Sequence, residues 1–160
     1  MLIIYRILIN IAYFLSPLII ILRLIINKEH TKRYKEKFCF FTKKKIKGKL
    51  IWIHGASVGE FQSIVPLIEK YEKKKNIAQI LITSNTLSSS KVISNYKFKK
   101  VVHQFFPIDT NLNTQNFLNY WQPSLSLFVD YEISPNMLLN LREKKNSYNF
   151  AQCQNYSKIF

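Results

Sequence analysis

At 160 residues the chain has room for one domain with a real core, and two would be cramped. Its 24 Lys and Arg against 9 Asp and Glu give a formal charge of +15, which suits a polyanionic partner such as nucleic acid, an anionic membrane surface or a phosphorylated substrate. Lys, Asn and Ile are heavily used throughout, so part of that basicity is compositional, and the two cysteines, Cys39 and Cys153, match no metal-ligand spacing and read as free thiols in a reducing compartment.

The first element is apolar. From Leu2 to Ile26, 20 of 25 residues are apolar. As a helix that stretch would reach about 37 Å, enough for a hydrocarbon core of ~30 Å. Arg6, Asn10, Ser16, Pro17 and Arg23 interrupt it, which leaves a spanning helix and a partly inserted, interfacial one both open. No small-residue cleavage site follows, so residues 1–27 read as a retained membrane anchor rather than a signal peptide.

Residues 28–49 form a basic juxtamembrane segment with ten Lys and Arg and two acids, Glu29 and Glu36. The positive-inside rule places this side in the cytoplasm, and the cluster suits anionic headgroups, each cation contributing about 1 kcal/mol near the surface. A solvated linker is the plainer alternative. Nucleic acid is not expected as a partner: the nearby aromatics Tyr34, Phe38, Phe40 and Phe41 show no repeated stacking pattern, and the apolar neighbour already accounts for the charge.

From Leu50 onward, short β-branched runs alternate with helical patterns, the signature of an α/β domain with a parallel sheet, here expected over residues 50–145. Strands are expected near Leu50–His54, Gln79–Thr83, Val101–Phe106 and Leu125–Asp130. Helices are expected at about Val58–Lys75, Ser88–Tyr96, Thr114–Trp121 and Pro135–Glu143, with Pro66 kinking the first or marking its early turns. The stretch from Asn146 to Phe160 carries neither a helical nor a strand period and reads as a divergent tail.

Only three glycines occur where average usage predicts roughly eleven. Two of them, Gly55 and Gly59, lie in Ile51–Glu60, a strand turning sharply into a helix, so a positive φ or a close approach is expected there. Ser57-Val58-Gly59-Glu60 has the form of a capping box. The same carboxylate, fixed at a helix N-terminus, could also act as a general base toward a substrate hydroxyl. Four of the nine acids, Glu60, Asp109, Asp130 and Glu132, fall just past the expected carboxyl ends of strands, the edge along which open α/β sheets bind ligands. Thr83-Ser84-Asn85-Thr86 offers hydroxyls and an amide for sugar or phosphate contact, although turns favour the same residues. The Asp130 and Glu132 pair has no His or Cys beside it to complete a metal site, and His54 and His103, inside expected strands, read as core histidines.

Taken together, Arg33-Tyr34, Trp52-Ile53-His54, Ala56–Glu60, Pro66-Leu67-Ile68, Thr83–Thr86, Pro107-Ile108-Asp109 and Asp130–Asn136 resemble the N-terminal half of the 3-deoxy-D-manno-octulosonic acid (Kdo) transferases of lipopolysaccharide synthesis. The resemblance runs from the anchor to about Lys145. It implies a Rossmann-like acceptor domain, the first half of a GT-B glycosyltransferase, attached to the cytoplasmic face of the inner membrane. It further implies inverting transfer of Kdo from the donor substrate CMP-Kdo to a lipid A precursor, with no metal or other cofactor. Carried over, Glu60 is the proton acceptor and Asp130 the transition-state stabiliser, with Ser57, Gly59, Thr83, Asn85, Thr86, Asp109, Glu132 and Asn136 as substrate-binding candidates.

Three departures stand out. The family's last motif reads Glu-x-Glu-Leu-Trp-Pro-Asn, whereas Asp130 is one methylene shorter and Ser134 replaces the tryptophan; Ser89 stands where a glycine is common; and the donor-binding second domain is expected to be missing after residue 145. The expectations are therefore a truncated Kdo transferase, half of a split enzyme completed by a separate donor domain, or a non-catalytic membrane-attached module that binds anionic lipid.

Overall fold

The computed structural model describes residues 2–129, 134–144 and 149–152. Five parallel strands, β1 (Leu50–His54), β2 (Gln79–Ser84), β3 (Val101–Phe105), β4 (Leu125–Phe128) and β5 (Asn149–Gln152), form one sheet in the order β3-β2-β1-β4-β5. The chain steps outward from β1 to β3, then crosses back to β4. The order reverses at β1 and β4, and open α/β sheets take ligands beyond the carboxyl ends of the strands at such a reversal.

Alternation along the central strands builds a core on each face. Ile51, Ile53, Ile80 and Ile82 meet Phe61, Ile64, Leu67 and Ile68 of α2 (Val58–Glu72) and Ile93 of α3 (Leu87–Asn95). Leu50, Trp52 and Leu81 meet Phe117, Leu118 and Trp121 of α4 (Asn111–Trp121) and Met137 and Leu141 of α5 (Pro135–Glu143). β1 is buried along its whole length, as a strand covered by helices on both sides must be.

Three local expectations need correcting. β5 lies where no strand period was legible, and Pro66 sits in the middle of α2 rather than in its early turns, removing the N–H that would have bonded the Gln62 carbonyl. The positive-φ glycine is Gly48, at φ +128, where a Cβ would fall 2.7 Å from that of Ala78. Gly55 and Gly59 have ordinary backbone, and their value lies in the space they leave.

The helix α1 (Leu2–Ile25) runs through Pro17 unbroken because the Ser16 hydroxyl donates to the Tyr13 carbonyl, at 2.6 Å, in place of the missing N–H. Only Ser16 and Ile20 are buried. Tyr5, Arg6, Tyr13, Ser16, Ile20 and Arg23 make one stripe at helical spacing along the domain, while Ile3, Ile7, Phe14, Leu18 and Ile25 point outward, Phe14 with 87% of its surface exposed.

The basic segment packs on the domain through its two acids, while most of its cations stay exposed. Its acids are buried: Glu36 accepts from both forks of Arg33 (2.8 and 3.0 Å), from the Thr42 hydroxyl and from the Phe105 N–H (2.7 Å). Arg33 also donates to the His103 carbonyl at 2.7 Å. The pair thus satisfies the outward backbone groups of edge strand β3 and bars another strand from adding there. Removing one partner of a pair this deep would cost about 3 kcal/mol, because the other charge would remain buried alone. Glu29 accepts from Lys37 (2.7 Å) and Arg23 (3.0 Å), tying the far end of α1 to the same segment.

Candidate functional site

Strand β1 ends at His54 and the chain turns into α2 through Gly55, Ala56 and Ser57. The forward half of the expected capping box forms, and the carboxylate returns to the preceding amide and to the Ser57 hydroxyl. The Ser57 hydroxyl accepts from the Glu60 N–H at 3.2 Å and donates to Glu60 Oε1 at 2.6 Å, while Oε2 accepts from the Ala56 N–H at 2.8 Å. The carboxylate is therefore held at both oxygens at the positive end of a helix, yet the residue is only half-buried and Ser57 and Gly59 are exposed. A Cβ at Gly55 would lie 3.7 Å from Glu60 Oε2 and 3.8 Å from Val129 Cγ2. One at Gly59 would meet nothing within 4 Å. Gly59 therefore stands at open surface, one residue before Glu60.

The neighbouring β2–α3 turn joins this edge. Thr86 caps α3, accepting from the Ser89 N–H at 3.2 Å. Ser89 Oγ lies 2.7 Å from Thr86 Oγ1 and donates to the Ala56 carbonyl at 3.4 Å. The serine that replaces a glycine thus stitches the two turns together. Thr86 and Ser88 are exposed and Asn85 is half-buried, so Glu60, Ser57, Gly59, Asn85 and Thr86 line one open edge.

Other expected residues stand elsewhere. Thr83 is fully buried, its hydroxyl 2.9 Å from both Trp52 Nε1 and His54 Nδ1. The Asp109 carboxylate accepts from the Asn136 and Met137 N–H groups, both at 2.9 Å, capping α5, and from the Tyr5 hydroxyl at 2.7 Å. Burial pushes the Asp109 carboxyl above its ordinary value, against the hydrogen bonds from Tyr5, Asn136 and Met137. Asn136 is buried, donates to the Asp109 carbonyl at 2.6 Å and accepts from Arg6 at 3.0 Å. Asp130 and Glu132 lie outside the described residues, but Val129, just before Asp130, donates to the His54 carbonyl at 3.0 Å beside the Glu60 turn. Among the described residues no three His, Cys, Asp or Glu gather closely enough to hold a metal ion.

Sequence reading missed Ser89 as the stitch between turns and Tyr5 and Arg6 as clasps. The Tyr5 and Asp109 contact joins residues 104 apart, beyond any local pattern. Arg33 and Glu36, three apart, carried a usable signal in their spacing.

Both sheet histidines are neutral core residues, as their strand positions led one to expect. Burial lowers His54 to about 4, against its hydrogen bond to the Thr83 carbonyl. Burial, with the charges of Arg33, Lys43 and His30, lowers His103 to about 3. Arg33 can only donate, so His103 Nδ1, 3.0 Å from it, is the acceptor and Nε2–H donates to Ser84 Oγ at 2.9 Å.

The fold and site define an α/β protein of the Rossmann-like kind, a doubly covered parallel sheet with a polar, carboxylate-bearing edge beside the point where strand order reverses. Residues 32–152 match the family described as 3-Deoxy-D-manno-octulosonic-acid transferase (kdotransferase), and the chain belongs to that family. The match runs past residue 145 and takes in β5, so the resemblance extends further along the chain than the motifs alone indicated. A relative from Rickettsia bellii named 3-deoxy-D-manno-octulosonic acid transferase is 40% identical over 130 residues, covering 77% of this chain and 31% of its own length. One from Arabidopsis thaliana, named a probable mitochondrial 3-deoxy-D-manno-octulosonic acid transferase, is 34% identical over 139 residues, covering 85% of this chain and 31% of its own. A Haemophilus influenzae relative of the same name is 30% identical over 91 residues, 57% of this chain and 21% of its own length. The chain thus spans about a third of the length of the first two relatives.

The histidines make stability depend on pH. Each binds no proton in the folded state near neutrality but takes one when unfolded, so its contribution is complete above pH 6.5 and is lost as pH falls toward 4 and 3. At pH 5 the loss is on the order of 2 kcal/mol for each. Urea unfolding followed between pH 7 and pH 5 is expected to show a falling midpoint that flattens in His103→Gln.

Proposed function

We propose that the chain forms the acceptor-binding half of an inverting GT-B glycosyltransferase that moves Kdo from CMP-Kdo to a hydroxyl of a lipid A precursor. The observation that carries this reading is the Glu60 carboxylate, fixed at both oxygens on a half-buried residue beside the exposed Ser57 and Gly59. In the proposed step the acceptor oxygen attacks the anomeric carbon of Kdo from the face opposite CMP. A new C–O bond forms as the bond to the CMP phosphate breaks, the electron pair leaves with CMP, and the hydroxyl proton passes to Glu60. Asp130 stabilises the charge that develops at the sugar, and Ser57, Asn85, Thr86 and Glu132 orient the acceptor. CMP-Kdo binding falls to a second Rossmann-like domain, in the same polypeptide or a separate one.

The membrane reading rests on α1. Its contacts with the domain extend from Tyr5 to Arg23, some 27 Å along the helix, so the anchor is clasped at both ends. A helix held this way lies along the membrane surface, with its outward apolar face in one leaflet and the domain on the cytoplasmic side of the inner membrane. A tryptophan placed at Phe14 is then quenched most strongly by lipids brominated about 5–10 Å below the headgroups. Strongest quenching at the bilayer centre would instead indicate a spanning helix.

The reaction is tested with membranes carrying the polypeptide, a separately supplied donor domain, Kdo-labelled CMP-Kdo and tetraacylated acceptor. Labelled lipid is the expected product. Acceptor binding without any transfer in the presence of the donor domain would favour a non-catalytic module that holds anionic lipid.

A further inference from the structure

A second cavity, of about 410 Å³, opens along the outer edge of β3 on the face of α3 that carries Ser90, Lys91 and Ser94. Glu60 is not among its lining residues, and nothing in the transfer reaction uses it. Three cations face it: Arg33, Lys43 and Lys91. Arg33 is locked in place by Glu36 and the His103 carbonyl, and its remaining fork nitrogen, Nη1, reaches Ser90 Oγ at 3.4 Å. Lys43 and Lys91 are exposed and form no ion pair among the described residues. Among the described residues no carboxylate lines the cavity. Glu36 offsets one charge from behind, leaving roughly two positive charges for a ligand.

Ile93, Phe98 and Val101 add apolar wall to the lining, and Ser90 and Ser94 add hydroxyls. A small inorganic anion would leave that wall uncovered. A ligand with a phosphate at one end and hydrocarbon at the other fills both, and the volume falls within the range of small-molecule sites. The source is the bilayer. His30, on the cavity wall, follows the end of α1 by five residues, so the opening lies close to the level at which that helix meets headgroups.

We propose that this cavity is a binding site for the phosphate headgroup of an anionic lipid, with Lys43 and Lys91 gripping the phosphate beside a preset Arg33 and the first methylenes of the lipid resting on Ile93, Phe98 and Val101. Charge-assisted hydrogen bonds from ammonium and guanidinium groups make such a grip specific for phosphate. The positive field that helps keep His103 deprotonated arises from the same cluster.

Calorimetric titration of the full chain in neutral detergent micelles tests this with dihexanoyl phosphatidic acid as probe. Saturable binding is expected, weakened about tenfold in Lys43→Ala/Lys91→Ala through the loss of two charged contacts. A charge-matched control, Lys73→Ala/Lys75→Ala just past the end of α2 and outside the cavity lining, should change it by less than about twofold, since it removes only screened surface charge. Glu60→Ala should leave it unchanged, which separates this site from the transfer reaction. Equal weakening in both double variants would reduce the effect to net charge and overturn the site. So would the absence of saturable binding, or inorganic phosphate binding as tightly as the lipid.

Discussion

The β1–α2 turn depends on one carboxylate that closes it. Glu60 takes the Ala56 N–H on one oxygen and the Ser57 O–H on the other, while its own N–H returns to Ser57. These three bonds satisfy the Ala56 amide, the Ser57 hydroxyl and the Glu60 amide that the helix start leaves orphaned, and they fix the side chain without burying it. The same bonds that make Glu60 a cap hold its carboxylate oriented at the open edge of the sheet.

Around that turn the fold is organised by polar contacts between distant segments. Ser89 joins the β2–α3 turn to Ala56, and Asp109 caps α5 while accepting from Tyr5 of the apolar helix. The Arg33 and Glu36 pair closes the edge of β3. The last two connect the apolar helix and the basic segment to the carboxyl edge of the sheet, so these parts and the site form one framework. The half-buried Cys39 belongs to the same packing: its thiol donates to the Asn113 carbonyl at 3.2 Å, and burial pushes it up to about 12, so it is no nucleophile.

Much of this was legible in the residues. The alternation of β-branched runs with helical periods gave β1 and α5 at their observed limits, because Leu50–His54 and Pro135–Glu143 carry unambiguous local patterns. α4 begins three residues before the expected Thr114, since the Thr110 cap, which accepts from the Asn113 N–H, precedes the apolar period. β5 was hidden because Asn-Phe-Ala-Gln is half polar and gains its strand character from pairing with β4. At the site, Ser57, Gly59 and Glu60 were readable as one local motif. Thr83 was not readable as buried, because β2 continues to Ser84 and its alternation turns the Thr83 hydroxyl toward Trp52. The buried roles of Glu29 and Glu36 escaped notice for a similar reason: their partners come partly from β3 and α1, far off in sequence.

The most direct test is Glu60→Gln, measured for folding and for transfer in the same preparation supplied with a donor domain. The amide keeps the shape and one acceptor oxygen, so unfolding free energy should fall by only about 1 kcal/mol, the scale of a weakened cap. It cannot accept a proton at neutral pH, so transfer should drop by at least about a hundredfold, the scale of a lost general base. Transfer retained at near wild-type rate in the folded variant would contradict the assignment and leave Glu60 as a cap alone.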